Sequence, residues 1–121
     1  MTNQNEYLKS TKLITAHYGE EYEHYYNAIV PPVFMNSLNV FGTLDDYYDF
    51  DRTDKHKYCY GRVQNPTVRI LEDKIAALEH GVGALAFASG MAAATTAVLT
   101  ACKAGSHVVC LHNAYGPLKD F

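Results

Sequence analysis

Arg62 stands two residues after Tyr60 and three before Asn65-Pro66-Thr67, so a guanidinium and a phenol precede a segment suited to start a helix. A guanidinium is a planar fork of donors that matches phosphate oxygens. In extended backbone, residues two apart share a side, which would let Tyr60 and Arg62 reach one anion together. Further along, Ser89-Gly90-Met91 joins an apolar run to a second helix-forming segment. Unpaired N–H groups and the helix dipole favour an anion there, and Gly90 lets a phosphate approach the backbone. Tyr115, in Asn113-Ala114-Tyr115-Gly116-Pro117, adds a ring that can stack on a flat ligand and a hydroxyl that can move a proton. Together these suit a phosphorylated, planar, aromatic molecule. Taken singly, each also has an ordinary structural reading: a surface arginine, a strand-to-helix turn, a loop tyrosine.

Other chemistries fit less well. A Walker loop needs glycine-lysine-serine/threonine at a helix start, and the chain has no such triplet. A dinucleotide fingerprint needs its glycines after a strand, whereas Gly81-Val82-Gly83 follows a predicted helix. Cys59, Cys102 and Cys110 have neither metal nor disulfide spacing. His107, Cys110 and His112 are near one another, but strand alternation turns Cys110 away from the other two, so no metal site is expected. The net charge of -3 gives no electrostatic case for nucleic acid or an anionic membrane. No apolar run approaches the ~20 residues that span a bilayer. The polar start is not a secretory signal. A cytoplasmic protein is expected, with no nucleic-acid or membrane partner.

The elements that must position these residues fall into two stretches. Hydrophobic residues make up 48% of the 121, enough in principle for a buried core. All tyrosines but Tyr115 lie at or before Tyr60, in a stretch with little periodicity. Leu8, Leu13 and Ile14 line a short predicted helix ended by His17-Tyr18-Gly19. Ile29-Val30-Pro31-Pro32-Val33-Phe34 is extended, because each proline disfavours helix in the residue before it. Residues 36–54 read as loop with at most a turn of helix. So long an irregular stretch looks like an arm, packed either on its own domain or on another subunit.

The second stretch is regular. Asn65 as N-cap and Pro66 at the first position open a helix in which Val68, Leu71, Ile75 and Leu78 form an apolar stripe, with Arg69, Glu72, Asp73, Lys74 and Glu79 mostly elsewhere. Gly81 suits the left-handed position after its end. Residues 84–88 read as a short buried strand, residues 91–102 as an apolar and therefore buried helix, and residues 107–111 as a second strand. Strand, helix and strand predict a right-handed βαβ unit with parallel strands.

The order Tyr60-x-Arg62-x-x-Asn65-Pro66-Thr67, then Ala88-Ser89-Gly90-Met91-Ala92-Ala93, then Ala114-Tyr115-Gly116 resembles the Cys/Met-metabolism family of pyridoxal-phosphate enzymes. These include cystathionine γ-synthases, cystathionine lyases, methionine γ-lyases and O-acylhomoserine sulfhydrylases. The resemblance covers about residues 28 to 121. It implies an α/β chain: the N-terminal part of an aspartate-aminotransferase-like (fold type I) enzyme. Residues 1–62 would be an inter-subunit arm, and residues 63–121 the incomplete start of the large, parallel-sheet cofactor domain. The implied cofactor is pyridoxal 5′-phosphate. The implied substrate is a sulfur amino acid or an activated homoserine, in a homotetramer of tight dimers. By the family's pattern, Tyr60 and Arg62 reach the cofactor phosphate of the neighbouring subunit, Gly90 and Met91 give N–H groups to their own, and Tyr115 stacks on the pyridine ring and assists proton transfer.

Two departures matter. The family usually has serine where this chain has Gly61, which is expected to loosen the turn. Family members are also much longer. Their Schiff-base lysine lies beyond the point where this chain ends, and none of Lys9, Lys12, Lys55, Lys57, Lys74, Lys103 or Lys119 takes its position. The resemblance therefore implies an N-terminal fragment that is inactive alone. Methionine γ-lyases tend to carry Tyr-Gly-Cys at Tyr115-Gly116-Pro117, while the proline is similar to some cystathionine β-lyases; one position does not separate the reactions. Two alternatives stand beside this reading: a non-catalytic remnant that pairs with other subunits, and a small independent phosphate-binding α/β domain.

Overall fold

Helices carry all the repeating secondary structure of the described residues, which in this computed structural model are 10–19, 21–51, 53–54 and 57–121. Leu8, Lys9, Lys55 and His56 lie outside them. The chain divides into two units, Met1–Ala84 and Leu85–Phe121.

In the first unit, α1 (Thr11–His17) packs on α3 (Pro66–Leu78). The short α1 has no side-chain cap and depends on this packing. Among the described residues the buried hydrophobic ones are Ile14 on α1 and Ala76 on α3, 5% and 9% exposed. Gly19, at φ +80°, closes the turn after α1 so tightly that a Cβ there would stand 2.8 Å from Ile70 Cγ2. Lys74 Nζ donates to the Thr15 carbonyl at 3.1 Å. A 3-10 turn (Tyr22–Tyr25) and a bend at residues 29–30 lead into residues 31–36, which form no regular secondary structure. The helical turn in the loop is α2 (Leu44–Tyr48), held by a capping box in which Thr43 Oγ1 accepts from the Asp46 N–H and Asp46 accepts from the Thr43 N–H.

The faces of α3 are not those the periodicity suggests. Val68, Leu71 and Ile75 of the apolar stripe remain 43%, 52% and 43% exposed. On the charged face, Arg69 and Glu72 side chains are only 11% and 12% exposed. Arg69 pairs with Glu72 at 3.2 Å and with Asp73. Its hydrogen bond to Asp73 is the main cause of a guanidinium pKa above the usual value, opposed by partial burial. Burial, followed by the charge of Tyr25, pushes the Tyr58 phenol up in the same cluster. The apolar stripe is left partly uncovered, while Tyr58 of the tyrosine-rich stretch lies near enough to the charges of Arg69 and Asp73 to interact with them.

The end of α3 also differs from expectation. The left-handed residue is His80, φ +55°, and Gly81 follows it, its N–H donating to the Ala76 carbonyl at 2.8 Å. This is the long bond of a Schellman closure, with the glycine one position later than the sequence suggests.

In the second unit, α4 (Gly90–Ala101) packs with α5 (Gly116–Lys119). The expected βαβ unit is not formed: neither 84–88 nor 107–111 is a strand, and the β-bridge found among the described residues joins Leu38 to Tyr60. A parallel strand exists only through hydrogen bonds to neighbours, and such sheets are buried on both faces. Thirty-odd residues with one apolar helix provide neither condition. For the same reason α4 is not buried: none of its residues is, and Leu99 is 62% exposed.

Candidate functional site

Tyr60 sits in a two-stranded clasp. Its bridge to Leu38 is antiparallel, flanked by Asn39 N–H donating to the Cys59 carbonyl at 3.0 Å and Gly61 N–H donating to the Ser37 carbonyl at 2.8 Å. The chain then turns, because the Tyr60 carbonyl accepts from the N–H groups of Val63 at 2.9 Å and Gln64 at 3.0 Å. Extended alternation is therefore not what unites Tyr60 and Arg62. The turn brings the Arg62 guanidinium carbon 5.2 Å from the Tyr60 ring centroid, a cation–π contact. Arg62 is exposed, and no carboxylate pairs with it among the described residues. Gly61 does not loosen this turn; it permits a close backbone approach, since a Cβ there would lie 2.6 Å from the Asn36 carbonyl oxygen.

The start of α3 does more than cap a helix. Asn65 accepts from the Thr67 N–H at 2.9 Å, the capping bond expected of it. Its Nδ2 donates to the Phe34 carbonyl at 2.9 Å, and Thr67 Oγ1 accepts from the Phe34 N–H at 2.9 Å. Both backbone groups of Phe34 are thus held by the first turn of α3. Composition gives no hint of this partner; Asn65-Pro66-Thr67 reads locally as a cap alone. A hollow of about 280 Å³ lined by Phe41, Asp46, Asp49, Phe50, Lys57 and Tyr58 also escaped the sequence reading. Its only forewarning is the density of aromatic residues there.

In the second unit Ser89 caps α4, its Oγ accepting from the Ala92 N–H at 3.1 Å. No acidic residue lies in the first turn, and among the described residues a Cβ built on Gly90 would meet nothing within 4 Å beyond its chain neighbours and the helix's own backbone. The N–H groups of Gly90 and Met91, at the first two helical positions, lack intrahelical acceptors, the arrangement that suits a helix start to an anion. Tyr115 immediately precedes α5, is 67% exposed and accepts from the Leu118 N–H at 3.0 Å. Among the described residues no group of His, Cys, Asp or Glu is placed to hold a metal ion, and no helix is long and apolar enough to cross a membrane. Each by itself, the Arg62 guanidinium, with no carboxylate partner among the described residues, and the N-terminus of α4 have the chemistry to take a phosphate group.

Comparison with known proteins gives these residues a context. The chain is 35% identical over 121 residues to cystathionine gamma-synthase 1, chloroplastic, of Arabidopsis thaliana, covering 98% of this chain and 22% of that protein. It is 35% identical over 102 residues to an L-methionine gamma-lyase of Fusobacterium nucleatum subsp. polymorphum, covering 84% of this chain and 26% of that one. It is 34% identical over 113 residues to an L-alanine/L-glutamate racemase of Wolbachia pipientis wMel, covering 85% and 28%. The chain spans about a quarter of the length of these relatives. No solved structure matches it significantly. The family model described as Cys/Met metabolism PLP-dependent enzyme matches residues 10–121, and the chain belongs to that family, whose cofactor is pyridoxal 5′-phosphate.

Proposed function

We propose that this chain is the cofactor-gripping amino-terminal portion of a fold type I enzyme that makes or breaks C–S bonds in a sulfur amino acid or an activated homoserine. Residues 1–62 serve as an arm toward a second subunit, and residues 63–121 begin the cofactor domain. Arg62 and Tyr60 hold the phosphate of the partner's cofactor, and the N–H groups of Gly90 and Met91 hold that of their own. Tyr115 stacks on the pyridine ring, and its phenolic oxygen takes up or returns a proton. Bound pyridoxal 5′-phosphate supplies the electron sink that C–S chemistry requires. The chain's own contribution is to grip and orient; by the resemblance its lysines do not include the Schiff-base residue, and the 121 residues alone turn over no amino acid.

The observation that carries this reading is the Arg62 guanidinium, stacked near the Tyr60 ring and without a carboxylate partner among the described residues. The exposed apolar arm side chains, Val33 and Met35 among them, support self-association. The test compares binding of pyridoxal 5′-phosphate and pyridoxal to the chain by fluorescence quenching. The phosphate form binds more tightly, and Arg62→Met removes that preference by about tenfold or more, the loss expected for a hydrogen bond to a charged group. Equal affinity for the two vitamers overturns the reading.

A second reading is favoured by the racemase among the relatives. In it the same grip serves proton exchange at Cα with no change at sulfur. In the complete enzyme, solvent deuterium entering Cα without thiol release selects that reading.

A further inference from the structure

We infer that residues 34–39 are a positioning strap for the Tyr60–Arg62 pair, fastened at one end by Asn65 and Thr67 and at the other by the backbone of residues 59–61. The inference deepens the phosphate-grip reading and rests on it for its functional consequence. At the first fastening, Asn65 Nδ2 and Thr67 Oγ1 hold the carbonyl and the N–H of Phe34, both at 2.9 Å. At the second, the Asn39 and Gly61 N–H groups bond to the Cys59 and Ser37 carbonyls at 3.0 and 2.8 Å. Arg62 lies in sequence between the two fastenings, at the turn that the strap spans.

A guanidinium on an exposed turn samples many rotamers, and fixing a long side chain costs conformational entropy. Anchoring the backbone on both sides of the turn sets the direction in which Arg62 leaves it. The Tyr60 ring, 5.2 Å away, then lies in line with the guanidinium. Asn65, Thr67 and Gly61 touch no phosphate in this scheme. They are positioning residues, acting through Tyr60 and Arg62.

Capping and strapping can be separated by substitution. Asn65→Asp keeps an acceptor for the Thr67 N–H, since aspartate caps helices as well as asparagine. It removes the donor to Phe34 and sets a carboxylate against that carbonyl. Thr67→Val removes the acceptor for the Phe34 N–H at similar volume, and Thr67→Ser restores it. The readout is the ring-current displacement of the Arg62 δ-proton resonances by Tyr60, measured by NMR on the 121-residue chain alongside far-ultraviolet circular dichroism. The displacement is expected to collapse in Asn65→Asp and Thr67→Val with helicity retained, and to persist in Thr67→Ser. Affinity for inorganic phosphate falls about three- to tenfold in the first two, the range for one lost hydrogen bond. An unchanged displacement in both variants overturns the strap, as does loss of all helicity in both while Thr67→Ser stays folded, which would make the contacts part of folding alone. A collapsed displacement with unchanged phosphate affinity leaves the strap standing and refutes the grip.

Discussion

The carbonyl oxygen of Asn36 stands 2.6 Å from the point where a Cβ on Gly61 would lie. The obstructing atom is backbone, held in place because the neighbouring Ser37 carbonyl accepts from Gly61 itself at 2.8 Å. The serine that the family usually carries at this position has no room beside residues 36–39 as they run here. Gly61→Ala and Gly61→Ser are each expected to cost about 1–3 kcal/mol, the scale of an overpacked site. The check is native-state hydrogen exchange at position 61 and Asn39. Both amides exchange faster in the variants if the clasp opens, whereas unchanged protection removes the steric reading of Gly61.

His80 ends α3 in the left-handed region at φ +55°, where a β-carbon crowds the following carbonyl. Gly81, which could adopt that conformation freely, is one residue too late. His80→Gly is expected to stabilise α3 by about 0.5–1 kcal/mol, a gain reduced by the greater freedom glycine brings to the unfolded chain. Urea unfolding followed by circular dichroism measures it. A variant that unfolds at lower urea than the parent contradicts the expectation.

α3 was legible because its signals are local: Asn65 caps, Pro66 fits the first position, and the apolar period runs on to Leu78. The contact between the Arg62 guanidinium and the Tyr60 ring was not legible, since the sequence suggests a shared side of extended backbone and a turn forms it instead. The strands expected at 84–88 and 107–111 are not formed among the described residues, because a strand is a relation between distant segments, and alternation alone cannot supply its neighbours. The burial of Arg69 was hidden for a similar reason. Which face of an amphipathic helix is covered depends on what else folds against it, and here α1 packs on α3 while Tyr58 lies near enough to Arg69 and Asp73 to feel their charges. The second task of Asn65 and Thr67 involves Phe34, more than thirty residues away, and no local pattern announces it.

Tyr58 offers a pH test of that covered face. Burial and the nearby charge of Tyr25 raise its phenol above the ordinary value, which is about 10. A group whose folded pKa is raised contributes stability that is fully present below the unfolded value and lost as pH rises through the folded one. The first unit is therefore expected to weaken above about pH 10, with part of that alkaline loss absent in Tyr58→Phe. Burial first, then Glu21, also raises the Tyr25 phenol, so tyrosinate absorbance followed through the same titration should lose one of the late-titrating phenols of the parent in the variant. Identical alkaline profiles would mean that Tyr58 is not held in this cluster.

Ser89 separates the two properties of the α4 start. Its Oγ accepts from the Ala92 N–H at 3.1 Å, so Ser89→Ala should destabilise the helix by about 1 kcal/mol. Ser89→Asp keeps the cap and adds a favourable charge–dipole interaction, so the helix itself should be as stable as the parent's or more so. That carboxylate, however, stands beside the Gly90 and Met91 N–H groups and repels any phosphate they would hold. If those groups grip the cofactor, Ser89→Asp loses pyridoxal 5′-phosphate affinity while keeping helicity, and its affinity for pyridoxal hardly changes. Ser89→Ala should show the reverse pattern, with helicity reduced and the phosphate preference retained. Calorimetric titration with both vitamers, paired with thermal melts, distinguishes the patterns. Undiminished phosphate binding in Ser89→Asp would show that the anion is held elsewhere, because a fixed negative charge at the mouth of an anion site cannot be neutral to its ligand.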